Sequence, residues 1–142
     1  MESLNKVLSN TFVMYFMAHS HHWNVEGVHF SQYHDFFGDL YEQLHSATDE
    51  IAEQIRALGI KAPSNLGSLY MHNSVEDSGV SDDLSQMINS LIVANNVVRA
   101  SLYTALKEAT DKNLQGLVNF LADRITKNDK IDWMLKASSK GL

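Results

Sequence analysis

Two histidines and two carboxylates could carry chemistry in this sequence: His22, His34, Asp49 and Glu53. Imidazole and carboxylate together make a donor set that suits iron among the abundant transition metals. His22 falls near the end of one helical segment, and His34 falls in the opening turn of the next. An antiparallel hairpin with a short turn brings those two ends together, so the imidazoles make half of a metal site. Asp49 and Glu53 are four residues apart and share one face of the second segment. They make another half. Taken alone, such a carboxylate pair also fits a solvated helix face, and a histidine at a helix end also fits a cap or a surface group.

The two halves cannot meet within one chain. His34 and Asp49 are fifteen residues apart, about 22 Å along a helix, whereas ligands sit about 2 Å from their metal. Either the pairs are unrelated, or a second subunit supplies the missing half. A two-fold axis between antiparallel copies of the second helix sets His34 of one chain against Asp49 of the other. Such a contact is isologous, so it forms the site twice.

Four long helices must position these residues. The first is expected over about Leu4 to Glu26, with Leu4, Val7, Leu8, Thr11, Tyr15, Ala18, His19 and His22 near one face and Gly27 as its stop. Ser31 can cap the second, which runs to Leu58 before Gly59. Ile60 to Val80 carries Pro63, Gly67 and Gly79, and Ser64 can cap a short helical turn inside it. A connection this long in a bundle implies a crossover. The third helix is expected from near Ser81, with Asp82 and Asp83 in its first turn, where the helix dipole favours negative charge. Its stripe is Leu84, Met87, Ile88, Leu91, Val98, Leu102, Ala105 and Leu106. The fourth is expected over Asp111 to Ala137, with Leu114, Leu117, Val118, Leu121, Ile125, Trp133, Met134 and Leu135 as its stripe. The reading is an all-α bundle in a single domain, residues 1–142, with no repeat and no linker.

Composition narrows the function. There is no cysteine, which removes disulfides, thiolate metal sites and thiol catalysis. The formal net charge of −6 disfavours a large phosphate-binding surface and suits a protein that attracts cations, although solubility alone also explains it. No run approaches the roughly 20 apolar residues needed to cross a bilayer, so a cytoplasmic protein is expected. All seven histidines lie at or before His72. This bears on Glu42-Gln43-Leu44-His45, a Glu-x-x-His motif of the kind that builds di-iron sites inside one bundle. That plan needs a second such motif on a later helix, and none follows. His45 therefore reads as an interface or surface residue. His19 and His21 are expected to pack or face solvent, with His19 one turn from His22. Trp23 reads as an aromatic anchor at an interface.

Longer motifs surround these positions. His22-Trp23-Asn24-Val25-Glu26-Gly27, then Phe30 and His34, then Asp49-Glu50-Ile51-Ala52-Glu53-Gln54-Ile55-Arg56-Ala57-Leu58-Gly59 closely resembles the signature of the Dps family, the mini-ferritins. Trp133-Met134-Leu135-Lys136-Ala137 is similar to the end of that family's last helix. The resemblance implies a ferritin-like four-helix bundle with a long crossover containing a short helix, and a hollow dodecamer. It also implies ferroxidase sites at two-fold interfaces, with His22 and His34 from one subunit and Asp49 and Glu53 from the other. Fe(II) would be oxidised there, with hydrogen peroxide the oxidant the family prefers, and stored as ferric mineral. The tryptophan equivalent to Trp23 lies close to the iron in the family.

One position departs from the pattern. The family usually has an aspartate four residues after the second histidine, and here Gly38 stands there. Asp39 is adjacent but about 100° around the helix, so it can substitute only if the helix is distorted. The alternative is that Gly38 serves a close helix approach. A lost ligand would leave a structural cage with a weakened metal site. Asp123, Asp129 and Asp132 fit either an iron-entry pore or a solvated face. The family also includes DNA-protecting members with basic tails, but this chain offers only Lys6 in its first ten residues and Lys136 and Lys140 at its other end. DNA binding is expected to be weak.

Overall fold

A computed structural model describes residues 1–77, 79 and 81–142 of the chain. The elements are α1 (Glu2–Asn24), α2 (Phe30–Ala57), α3 (Leu66–Tyr70), α4 (Leu84–Asp111) and α5 (Gln115–Ser139), and the described residues include no strand. The ferritin-like all-helical bundle is therefore present, with α3 lying inside the crossover. Val80, the expected end of that crossover, lies outside the described residues.

The helix starts differ from the sequence expectation in ways that capping explains. At α2 the chain turns through Gly27 at φ +113°, and the Phe30 N–H donates to the Gly27 carbonyl at 3.1 Å. Helical bonding thus begins before Ser31, and His29 is the residue at the cap position. At α3 the cap is Asn65, not Ser64. Its Oδ1 accepts from the Ser68 N–H at 2.8 Å while Ser68 Oγ accepts from the Asn65 N–H at 3.3 Å, a reciprocal capping box. At α4, Asp83 is the cap and accepts from the Ser85 N–H at 2.9 Å, so Asp82 and Asp83 precede the first turn. Asp111 ends α4 instead of opening α5, and Asn113 at φ +57° turns the chain between them. Asparagine tolerates that left-handed conformation better than most residues.

Two antiparallel hairpins, α1–α2 and α4–α5, join through the packing of α1 on α4. The crossover is tied to α1. Ser9 Oγ donates to the Leu69 carbonyl, and Asn10 Oδ1 accepts from the Ser74 N–H at 2.7 Å. Tyr33 of α2 reaches the end of α5, donating to the Ser138 carbonyl at 3.1 Å. Leu4, Met14, Leu44, Ile51, Ile88, Leu91 and Leu121 are among the side chains that fill the middle.

The buried stripe of α5 includes Leu117, Leu121, Ile125 and Leu135 as expected but departs from expectation elsewhere. Trp133 is 64% exposed and Met134 is also exposed. Arg124, Asn128 and Ile131 point inward instead. Asn128 lies two turns from both Leu121 and Leu135, so it belongs to the same stripe. Its Nδ2 donates to Asn95 Oδ1 at 2.9 Å, and Asn95 Nδ2 donates to the Asn128 carbonyl at 2.9 Å. Arg124 Nη2 donates to Asn128 Oδ1 at 3.1 Å. These amides are buried because each has a partner.

His21 is also a core residue, 2% exposed, with its ring edge-on to Phe37. The Ser90 hydroxyl donates to the Met87 carbonyl at 2.7 Å, so its oxygen accepts from His21 Nε2–H at 3.1 Å. His21 Nδ1 then carries no proton and has no partner. Burial pushes the His21 pKa down to about 4, because a charged imidazole there would bury an unpaired donor.

Two outcomes follow for stability. Asn128→Ala leaves Asn95 Oδ1 without a donor and Arg124 Nη2 without an acceptor, while the Asn95 Nδ2 bond to the main-chain carbonyl survives. It is expected to cost about 1–3 kcal/mol. Exposed Asn96→Ala should stay within about 0.5 kcal/mol of the parent. Urea unfolding at fixed subunit concentration measures both. For His21, the unfolded chain takes up a proton near pH 6.5 and the folded chain only near pH 4. Its contribution is therefore complete above pH 6.5 and is lost as pH falls toward 4, a loss of about 3 kcal/mol. His21→Phe should unfold with a flatter dependence over that range, and an unchanged slope would contradict the assignment.

Candidate metal centre

His22 closes α1 and His34 lies in the second turn of α2, and the short turn between the helices brings them together. Their rings stack at 3.8 Å with planes 17° apart. Each ring is tied to the other residue's backbone. His22 Nδ1 lies 2.6 Å from the His34 carbonyl oxygen, and His34 Nδ1 lies 2.7 Å from that of His22. A carbonyl oxygen can only accept, so both Nδ1 atoms carry the proton. Both Nε2 atoms are left with free lone pairs, which is the tautomer a metal needs.

Gly38 allows this arrangement. A Cβ at that position would stand 3.1 Å from His22 Nδ1 and 3.2 Å from its Cε1. The neighbour of Gly38 is thus the His22 side chain and not the backbone of another helix. Asp39 does not turn toward the imidazoles. It lines a groove of about 680 Å³ between α2 and α5 with Glu42, Lys127 and Lys130, and α2 is an unbroken helix through this point.

Around the pair is an aromatic cluster in which Tyr41 joins residues already noted in the sequence. His19 stacks on Tyr41 at 3.8 Å with planes 4° apart, and Tyr15 Oη lies 2.9 Å from His19 Nδ1. Burial, then the His22 and His45 imidazoles, push the His19 pKa down. Trp23 sits 4.2 Å from the His19 ring while 58% exposed. Phe30 covers the other side of His34 at 4.9 Å. Tyr41 follows His34 by seven residues, two helical turns, so spacing alone was enough to put it on this face.

The carboxylates stand apart from the imidazoles, on an exposed stretch of α2. A hydrogen bond to Asp49, then its charge, hold the Glu53 carboxyl above the usual carboxylate range. Two carboxyl groups that close share a proton more readily than two negative charges, and a cation would relieve the same repulsion. Asp49 also lines a groove of about 560 Å³ with His45, Thr48 and Phe12. Among the described residues of one chain, no group of three or more His, Cys, Asp or Glu can hold a metal ion. The four candidate residues thus occur as two pairs, each a partial donor set of the type that suits iron.

The acidic residues of α5 are engaged within the chain. Arg99 contacts Asp129 at 2.9 Å and Asp132 at 3.5 Å. Lys136 pairs with Asp132 at 2.9 Å, and Lys127 with Asp123 at 3.0 Å. Among the described residues, no helix is long and apolar enough to cross a membrane.

Comparison with known proteins accords with this geometry. The family described as ferritin-like domain matches residues 1–140. A DNA protection during starvation protein of Halobacterium salinarum is 33% identical over 102 residues, covering 70% of this chain and 56% of that protein. An uncharacterized protein of Haemophilus influenzae is 30% identical over 139 residues, covering 96% of this chain and 86% of its own length. Among solved structures, the Dps protein of Vibrio cholerae, described as a member of a superfamily of ferritin-like diiron-carboxylate proteins, superposes with TM-score 0.93 at 25% identity. That match covers 98% of this chain and 87% of the other. Dps from Staphylococcus aureus gives TM-score 0.91 at 26% identity, over 98% and 93% of the two chains. With its histidine hairpin, its crossover and these relatives, the chain belongs to the ferritin-like proteins and, among them, to the Dps family.

Proposed function

We propose that this protein is a cytoplasmic ferroxidase and iron store whose oxidation sites lie between subunits. One domain spans residues 1–142, and twelve copies close into a hollow shell. Fe(II) is the substrate. His22 and His34 of one subunit and Asp49 and Glu53 of its neighbour hold it, and the oxidised iron passes inward as ferric mineral. The observation that carries this reading is the reciprocal imidazole–carbonyl bonding, which leaves two Nε2 lone pairs ready for a metal. The carboxylates add negative charge that favours Fe(III) over Fe(II) as the metal loses an electron.

Hydrogen peroxide is the proposed oxidant. Two Fe(II) ions each give up one electron, the O–O bond breaks, and two protons complete two waters. No hydroxyl radical is released when both electrons are delivered at one place, which makes the reaction protective.

Mixing mutant subunits tests the shared site. His34→Ala and Asp49→Ala homo-oligomers are each expected to oxidise Fe(II) with peroxide about tenfold more slowly or worse. A hybrid two-fold pair carries one doubly damaged site and one intact site. Random co-assembly should therefore restore about a quarter of the sites. Wild-type rates in both single variants, or no recovery in the verified mixture, reject the arrangement.

Some relatives are named for DNA protection, so DNA is the competing ligand. The net charge of −6 argues against it. We expect no stable complex with duplex DNA at about 150 mM salt, because affinity falls steeply once few phosphates are neutralised. A tight gel-shift complex at that salt would reverse this expectation.

A further inference from the structure

We infer that His45 is a metal ligand of the inter-subunit centre and takes over the coordination lost at Gly38. The inference rests on the shared-site reading given above and extends it.

His45 follows His34 by eleven residues, about three helical turns, and precedes Asp49 by four. It therefore lies on the face of α2 that carries His34, Gly38 and Asp49. His45 and Asp49 line the same groove of about 560 Å³. The ring of His45 is exposed and rests 5.0 Å from Tyr15. Among the described residues it has no side-chain hydrogen-bond partner, unlike His19, His21, His22 and His34.

The register of the proposed interface supplies the rest. Antiparallel helices run their numbering in opposite directions. Where His34 of one subunit meets the turn between Asp49 and Glu53 of another, Gly38 meets the preceding turn, between His45 and Asp49. The side chain missing at Gly38 leaves room there, and the facing turn offers an imidazole. Gly38 cannot gain a side chain without crowding His22, since a Cβ would come within 3.1 Å of its ring. The ligand is thus moved across the interface, from the histidine-bearing subunit to the carboxylate-bearing one. The resulting set is three imidazoles and two carboxylates. It carries one negative charge fewer than a set with an aspartate at position 38, so it is better matched to borderline divalent ions.

Co(II) is the probe, because its visible absorption reports the ligand field. The assembled protein, checked by size-exclusion chromatography, is titrated with Co(II) alongside His45→Ala, His45→Asn, His34→Ala and Asp49→Ala. Both His45 variants should keep the fold of the single chain, where the side chain is exposed, and size-exclusion chromatography verifies their assembly before titration. They should bind Co(II) about tenfold more weakly, with the absorption moved to lower energy as water oxygen replaces an imidazole. If they match the parent in affinity and spectrum while His34→Ala and Asp49→Ala lose binding, the role of His45 is refuted and the shared site stands. If all four variants bind as the parent does, both fail together.

Discussion

The reciprocal hydrogen bonds between His22 and His34 are the constraint on which the candidate centre rests. Each imidazole gives its Nδ1 proton to the backbone of the other residue. This fixes tautomer and ring orientation by the protein alone, the kind of preorganisation a binding site requires. It also locks the end of α1 to the start of α2. Gly27 turns the chain sharply between the two helices, and Gly38 leaves room for the His22 ring beside α2. Glycine is costly inside a helix, by about 1 kcal/mol relative to alanine. At position 38 that cost is offset by the packing it permits.

The same hairpin gives neighbouring histidines opposite environments. His22 and His21 are adjacent, yet one is half-buried with a free Nε2 lone pair and the other is enclosed between Ser90 and Phe37. One residue is about 100° around a helix, which is enough to pass from solvent to core. The desolvation that holds His21 neutral does not depend on anything at the metal centre. Histidine count alone therefore overstates the coordinating capacity of this segment.

Much of the fold was legible because its signals are local. Helical periodicity through Leu4, Leu8 and Ala18, and through Met87, Leu91 and Val98, located buried faces that the structure has. The histidine hairpin was legible for the same reason, since a short turn must join the two helix ends. Three features were not. The helix starts depend on which side chain reaches a backbone N–H first, so Asn65 and Asp83 displaced the serines nearby. Trp133 looks like core by hydropathy but faces outward. Arg124 and Asn128 look like surface but are buried, because partners on two helices satisfy them. Such pairing joins residues 33 positions apart, and no local pattern reports it. The motif position at Gly38 was legible as a departure, while its consequence needed the His22 ring in place.

The carboxamide contact between Asn95 and Asn128 acts as an alignment key for the second hairpin. Leucine seams tolerate sliding, since one hydrocarbon neighbour is much like another. A slip of α5 by a turn would leave each amide facing hydrocarbon, at about 1–3 kcal/mol per stranded group. The hairpin is thereby given one resting depth. The far tip of α5, with Trp133 on its outer side, emerges at a fixed height relative to α2, where Tyr33 clasps it. Trp133 and its neighbours on the outer side of α5 are thereby held in one register against α2 and cannot drift along the bundle by a turn.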